Sequence, residues 1–316
     1  MIKGYFVTAL LLSAFVLLFS FAAFGWDDTG HKVSAYIAWQ QMAPEVRSKV
    51  IKLLRAAPED SSIGVYYLAG SRSAAAKELD LFMIASTWPD IVRDREFKVR
   101  FEKYNQGPWH IGNFLWRQVA GNAELLPQRS DGKGIVKLYE IEKELGDTSI
   151  SDAAKAVNIA WFLHIAGDIH NPLHNASRIT DVEIEGDRGG NLFLLSPVGT
   201  TENRLNLHSY WDGILRRNIE RKNDEADSVY IPKIANKVTK RYPFAKMKQR
   251  LKLSDYNVWQ QEGYDFLNTS VYTGDLRRNE LPGKAYQKRA FVVGQEQIAL
   301  AGYRIAETLN SIFRNK

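Results

Sequence analysis

The chain contains no cysteine. That excludes a disulfide framework and any thiolate metal site, so a bound metal would have to be held by histidine, carboxylate or backbone groups. A cysteine-free chain is compatible with the bacterial periplasm or exterior but does not fix a compartment. The sequence also lacks an internal repeat, a low-complexity tract and a Pro/Gly/Ser-rich linker. One domain is the simplest organisation of its 316 residues. Histidine is scarce, at 6, and the positions of these few residues are informative. What is plentiful is core-forming material: 45% of residues are hydrophobic and 8 are tryptophan. The net charge of +6, with a pI near 9.2, leans weakly toward polyanionic partners.

Residues 1–25 read as a secretory signal. Lys3 supplies the positive start, Phe6 to Phe24 is an apolar run, and Ala23-Phe24-Gly25 sets small residues before a cut ahead of Trp26. An uncleaved anchor is the alternative, because the run is long enough to span a bilayer. With cleavage, the mature protein is expected to be secreted or periplasmic, monomeric, without an obligate protein partner and without stable membrane association.

Beyond Trp26 the patterning predicts an all-α, predominantly helical domain over residues 26–316. Helices are expected from Lys32 to Gln41, Glu45 to Ala56, Lys77 to Ile84, Ile135 to Leu145, Leu207 to Ile219, Ser254 to Thr269 and Lys284 to Ile312. Asp152 is the expected N-cap of a helix from Ala153 to Ile169, ended by Pro172, with Ala154, Val157, Ala160, Trp161, His164 and Asp168 as its buried stripe. Ser86-Thr87-Trp88-Pro89-Asp90 is read as a break, with Pro89 starting a further helix through Arg93. The strand signal lies at 179–198, where a small β-hairpin is predicted.

Three histidines fall within Trp161–His174, and a fourth, His208, follows in Asn206-Leu207-His208-Ser209-Tyr210-Trp211-Asp212. His164/Asp168 and His208/Asp212 are each four residues apart. On a helix such pairs share a face, about 5–6 Å apart at Cβ, and imidazole nitrogen with carboxylate oxygen suits zinc. An apolar helix that buries His164 and Asp168 must also give them partners, which a cation would supply. With His31, Asp90, His110 and His174 these residues form the candidate set. His170, two residues past Asp168, should face elsewhere and is read as a core residue.

Trp88-Pro89-Asp90-Ile91-Val92-Arg93, the run from His164 to His174, Gly189-Gly190-Asn191, and Asn206-Leu207-His208 with Trp211-Asp212 occur in that order. Together they resemble the zinc-dependent single-strand nucleases of the S-one/P-one type, whose helical fold is shared with bacterial zinc phospholipase C. The resemblance spans essentially the whole mature chain. It implies three zinc ions: one on Asp90, His110, His164 and Asp168; one on His174, His208 and Asp212; and one on the free α-amino and carbonyl groups of Trp26 with His31 and a bridging Asp168. The amino-terminal ligand requires a cut between Gly25 and Trp26.

The same resemblance implies metal-activated hydroxide attack on phosphodiester bonds of single-stranded DNA and RNA, giving 5′-phosphate products, with 3′-nucleotidase activity as a further expectation. Asp90 and Arg93 are the catalytic candidates, Arg93 neutralising phosphate charge; an ordinary surface salt bridge is its alternative role. Asn113, Gly190 and Asn191 are the substrate-binding candidates. A structural turn is the alternative for Asn113, and a plain hairpin turn for Gly189-Gly190-Asn191. Ile111 stands at a position that is aromatic in some relatives. Unpaired bases expose faces and edges that a duplex hides, the physical basis of a single-strand preference. Two rival readings share the ligand pattern: a zinc phospholipase C, whose members carry Glu where this chain has Asp212, and a non-catalytic, metal-stabilised secreted binding protein.

Overall fold

Capping chemistry sets where the long helices begin. The computed structural model describes residues 26–68 and 72–314, so the expected signal segment lies outside the described residues. Asp27 accepts the Gly30 amide at 3.0 Å and starts the helix Asp28–Gln41. Pro44, with no amide to leave unsatisfied, opens Pro44–Arg55. Ser73 caps Ala74–Ile91 and Ser151 caps the central helix Asp152–Asp168. The cap of the central helix is thus Ser151 rather than Asp152, one residue earlier than expected. Helices Gly134–Gly146, Asp227–Arg241, Tyr256–Phe266 and the closing Lys284–Phe313 complete the frame.

The predominantly helical, single-domain reading holds, with the central helix packed among Asp28–Gln41, Pro44–Arg55, Ala74–Ile91, Gly134–Gly146 and Lys284–Phe313. Its buried surface is wider than a stripe. Ala154 is exposed and Val157 half-buried, but from Ile159 to Asp168 every residue is buried. A helix apolar all round belongs inside, and this one lies in the middle of the core. Among the described residues no helix is long and apolar enough to cross a membrane.

Three local expectations are corrected. Ala74–Ile91 runs unbroken through Pro89. The proline removes only the amide that would bond the Ala85 carbonyl, close to the helix end where one lost bond is tolerated. The Leu207–Ile219 helix is instead two, Leu207–Asp212 and Ile214–Asn218, meeting at Gly213. The hairpin predicted over 179–198 is a coiled loop with one bridge, Leu194 to Asn206. Its Phe193 and Leu195 are buried against the core rather than paired on a sheet. Buried Asp187 gathers the loop by accepting the Arg178 amide and the Tyr272 hydroxyl.

The hairpin lies elsewhere. β1 (Phe114–Val119) pairs antiparallel with β2 (Asn122–Arg129) around Ala120-Gly121, both at positive φ, as a tight two-residue turn requires. β3 (Ala176–Arg178) runs parallel to β1 on its other side. β2 is largely exposed, so its apolar alternation is too weak to read in sequence.

One polar cluster ties the frame together behind the central helix. Arg304 of the closing helix is fully buried. Its guanidinium lies 2.8 Å from Glu262, donates to the Leu251 and Arg250 carbonyls at 2.9 and 2.7 Å, and meets His170 Nε2 at 2.9 Å. His170 Nδ1 in turn donates to the Ala166 carbonyl at 2.6 Å. Burial and the neighbouring Arg304 charge hold His170 well below its ordinary pKa, so it is neutral and accepts from the arginine. His170 therefore serves the core, as expected. Removing one partner of such a buried pair strands the other. Arg304→Ala is expected to destabilise the fold by about 3–5 kcal/mol in urea unfolding. A change under about 1 kcal/mol, the range of exposed pairs, would contradict this role.

Candidate metal centre

Six chain segments deliver donors to one buried place. His31 comes from the first helix, Asp90 from the end of Ala74–Ile91, and His110 from the turn Gly107–His110. His164 and Asp168 come from the last turns of the central helix, His174 from the short helix Pro172–Asn175, and His208 with Asp212 from Leu207–Asp212. The approach of the first helix depends on Gly167. A Cβ there would stand 2.9 Å from His31 Nδ1, so only glycine lets that imidazole close on Asp168.

Asp168 is the hub. Its Oδ1 faces His31 Nε2 at 3.2 Å. Its Oδ2 lies 3.2 Å from His164 Nε2, 3.3 Å from His110 Nδ1 and 3.8 Å from His174 Nδ1. Asp90 Oδ1 completes the first group, 3.9 Å from His110 Nδ1 and 3.8 Å from His164 Nε2. His110 Nδ1 and His164 Nε2 are 2.8 Å apart. Ligands on a tetrahedral zinc with bonds of 2.0–2.1 Å are roughly 3.3 Å from one another. The Asp90, His110, His164 and Asp168 donors scatter around that value. In the second group, Asp212 lies 3.7 Å from His174 Nε2 and 3.6 Å from His208 Nε2.

The imidazoles are aimed by backbone. His164 Nδ1 donates to the Ser86 carbonyl at 2.8 Å, His174 Nδ1 to the His110 carbonyl at 2.7 Å, and His208 Nδ1 to the Gly189 carbonyl at 2.7 Å. Carbonyls only accept, so each Nδ1 carries the proton and each Nε2 presents its lone pair to the centre. Gly189 has φ +60, and a Cβ there would meet the Leu173 carbonyl at 2.3 Å, which explains the glycine.

The electrostatics call for cations. With the imidazoles in the neutral form that binds a metal, three carboxylates and five imidazoles would carry a formal charge of −3, and all of them except half-buried Asp90 are buried. Burial pushes Asp168 up, but the neighbouring His164 and His174 outweigh it and hold its carboxyl well below the usual range. Burial lowers His174, yet Asp168 and Asp212 raise it to about 9. Burial takes His110 down to about 4 and raises Asp212 well above its usual range. Asp168 Oδ1, both ring nitrogens of His31 and His110 Nε2 are buried without a hydrogen-bond partner. His31 Nε2 and Asp168 Oδ1 stand 3.2 Å apart without the alignment of a hydrogen bond. A cation satisfies such a pair where a hydrogen bond does not. Three groups of donors, His31/His164/Asp168, Asp90/His110/His164 and His174/His208/Asp212, are each compact enough to hold an ion. All the side-chain donors expected from sequence are thus brought together. Trp26 is fully buried at the mouth of the first helix, where its Cβ would lie 2.7 Å from one placed on Gly30.

The remaining candidates separate. Arg93 lies over the cluster's edge, its Nη1 3.2 Å from Asp90 Oδ1. His174 and His208 open onto a cavity of about 450 Å³ walled also by Ile111, Asp131, Arg188 and Asn191. Asn191 is therefore at the cavity. Asn113 and Gly190 are not among its walls: the Asn113 side-chain carbonyl faces Gln260 at 3.5 Å, and Gly190 is buried beside Leu173 and Tyr272. The sequence reading missed Asn171, whose Nδ2 donates to Asp212 Oδ1 at 2.7 Å and fixes that carboxylate. Its signal was present, since an asparagine before Pro172 is a helix cap held in the same buried turn as His174. It also missed Asp131 and Arg188 as cavity walls, which carry no spacing signal.

Comparison with known proteins adds to this geometry. The sequence model of one protein family, described as S1/P1 Nuclease, matches residues 26–314. Endonuclease 5 of Arabidopsis thaliana is 27% identical over 170 residues, which is 50% of this chain and 51% of that protein. The chain thus spans about half the length of this curated relative.

A buried donor cluster of this kind makes stability depend on its ion. Zinc added to chelator-stripped protein is expected to raise the melting temperature, by the equivalent of about 2.7 kcal/mol at a hundredfold excess over Kd. Asp168→Asn should remove most of that rise. An undiminished rise in the variant would contradict the place of Asp168 as hub.

Proposed function

The chain belongs to the S1/P1 nuclease family, and from this we propose that it is a secreted, zinc-dependent nuclease that hydrolyses phosphodiester bonds of single-stranded DNA and RNA to 5′-phosphate products. The observation that carries the reading is the convergence of buried His and Asp donors on Asp168, beside an arginine and a cavity of about 450 Å³. Asp90, His110, His164 and Asp168 would hold one zinc, His174, His208 and Asp212 a second, and His31 with Asp168 and the Trp26 terminus a third. Zinc clustered in this way supplies an activated water at neutral pH and neutralises charge on phosphate oxygens.

The chain's own groups do the rest. Arg93 is held by Asp90 and offers a planar guanidinium for a phosphate whose charge grows in the transition state. The Ser86, His110 and Gly189 carbonyls fix the imidazole tautomers, so the donors need no reorganisation when the substrate arrives. Asn191 and Ile111 line the cavity in which a nucleotide next to the scissile bond would sit. Burial of the cluster keeps bulk water away, which strengthens every charge interaction in it. The expected signal would be removed before Trp26, freeing the amino group for the third ion and delivering the protein to the periplasm or exterior.

Two outcomes test the reading. Arg93→Ala is expected to lower kcat on single-stranded DNA by about 10²–10³-fold with zinc content unchanged by metal analysis; a variant of wild-type rate would remove Arg93 from the chemistry. Protein carrying one extra residue before Trp26, verified by amino-terminal sequencing, is expected to lose both turnover and zinc relative to protein beginning at Trp26. Equal turnover and equal zinc in the two forms would overturn amino-terminal ligation.

A further inference from the structure

A second, smaller cavity of about 210 Å³ lies beside the first, walled by Gln118, Arg178, Phe193, Tyr272, Thr273 and Arg277 among others. Adjacent residues of the chain line one cavity and then the other. On β3, Ser177 faces the larger cavity and Arg178 the smaller; after the loop, Leu192 faces the larger and Phe193 the smaller. Successive side chains of a strand point to opposite faces, so the two cavities flank the same short stretches of chain, and a strand long enough to pass around them could occupy both.

The smaller cavity has two arginines in its wall. The Arg178 guanidinium is stacked 4.1 Å over the Tyr272 ring and sits 5.6 Å from that of Phe193. Among the described residues it makes no hydrogen bond through its side chain, its buried Nε included. It faces the Asp187 carboxylate only at 4.0 Å, and that carboxylate is engaged by the Arg178 amide and the Tyr272 hydroxyl. Arg277 is exposed at the rim, its guanidinium steadied on the Gly274 and Leu276 carbonyls, and no carboxylate pairs with it among the described residues. The nearby acids are spoken for: Asp275 pairs with Arg289 and Glu183 with Arg278. Two arginines on a small polar cavity, one fixed by stacking and both with donors to spare, match the geometry of phosphate recognition.

We propose that this cavity is a second phosphate subsite of the enzyme, in which Arg178 and Arg277 hold a backbone phosphate of the same nucleic-acid strand whose scissile bond lies at the metal centre. The inference rests on the nuclease reading and adds a strand-tracking element to it, since a basic groove that follows the backbone is how single strands are held without reading sequence. A dinucleotide, with one phosphodiester, cannot fill both sites, whereas a hexanucleotide can.

The test compares Arg277→Ala and Arg277→Glu with the wild type on a thymidine dinucleotide and a thymidine hexanucleotide. It also follows fluorescence anisotropy of a labelled, cleavage-resistant phosphorothioate hexanucleotide on the zinc-loaded protein. Arg277 is exposed, so these substitutions leave the core intact. The expected result is a KM for the hexanucleotide raised about 3–10-fold by alanine and further by glutamate, with a smaller change for the dinucleotide. The slope of log Kd against log salt for the hexanucleotide should become shallower by about 0.7, one single-strand phosphate contact. Equal effects on both substrates, or none on either, would overturn the subsite. So would variants whose only altered response is to added inorganic phosphate, which would make the cavity a site for the free ion. If the wild type turned over neither substrate, the nuclease reading would fail, while the anisotropy comparison would still decide the arginines' role.

Discussion

Asp168 is a carboxylate out of reach of water, with His31, His110, His164 and His174 closing on its two oxygens. An isolated buried charge of this kind is too costly to survive in a folded protein. It persists here because the surrounding imidazoles can either carry protons or share cations with it. Without a metal, the first solution operates: His174 is raised to about 9 and Asp168 is held low. Yet the first solution leaves Asp168 Oδ1 and His31 Nε2 facing each other without a hydrogen bond. A cation shared with Asp168 would remove that defect, and the donors are grouped closely enough to hold one.

Much of the rest of the structure follows from holding that carboxylate in place. The central helix must be buried on all faces at its end, hence its Trp161, Phe162, Leu163, Ile165 and Ala166. Gly167 must lack a side chain so that the first helix can bring His31 alongside. Behind the helix end, Arg304 and His170 satisfy the polar groups that the turn toward Pro172 leaves over. In front, backbone carbonyls from three separate segments orient the imidazoles. Fold and site are therefore a single construction, and the frame of long helices serves chiefly to make six distant segments meet.

The helical frame and the donor set were legible in the sequence, for physical reasons. Long apolar periodicities such as Ala290, Val293, Ile298, Ala301, Ile305 and Leu309 declare a buried helix, and all six are buried. Pairs such as His164/Asp168 reveal themselves because four residues make about one helical turn. What was illegible depended on tertiary partners. Pro89 reads as a helix break, but near the end of Ala74–Ile91 its missing amide is tolerated. A small hairpin is expected at 179–198, yet Asp187 draws that segment into a loop through contacts to Arg178 and Tyr272, residues that no local pattern associates with it. The true hairpin at 114–129 hid because β2 is mostly solvated. Asn113 follows His110 closely in sequence, but its side-chain carbonyl meets Gln260 and it is not among the cavity walls.

The central claim is that Asp168 is shared between metal ions. Anomalous diffraction at the zinc edge, on crystals of protein beginning at Trp26, tests it most directly. The account predicts two anomalous peaks within about 2.0–2.2 Å of Asp168 oxygens, one among Asp90, His110 and His164 and one beside His31 and the Trp26 terminus, with a third peak at His174, His208 and Asp212. An active, zinc-replete protein with no peak in bonding range of Asp168 would contradict it.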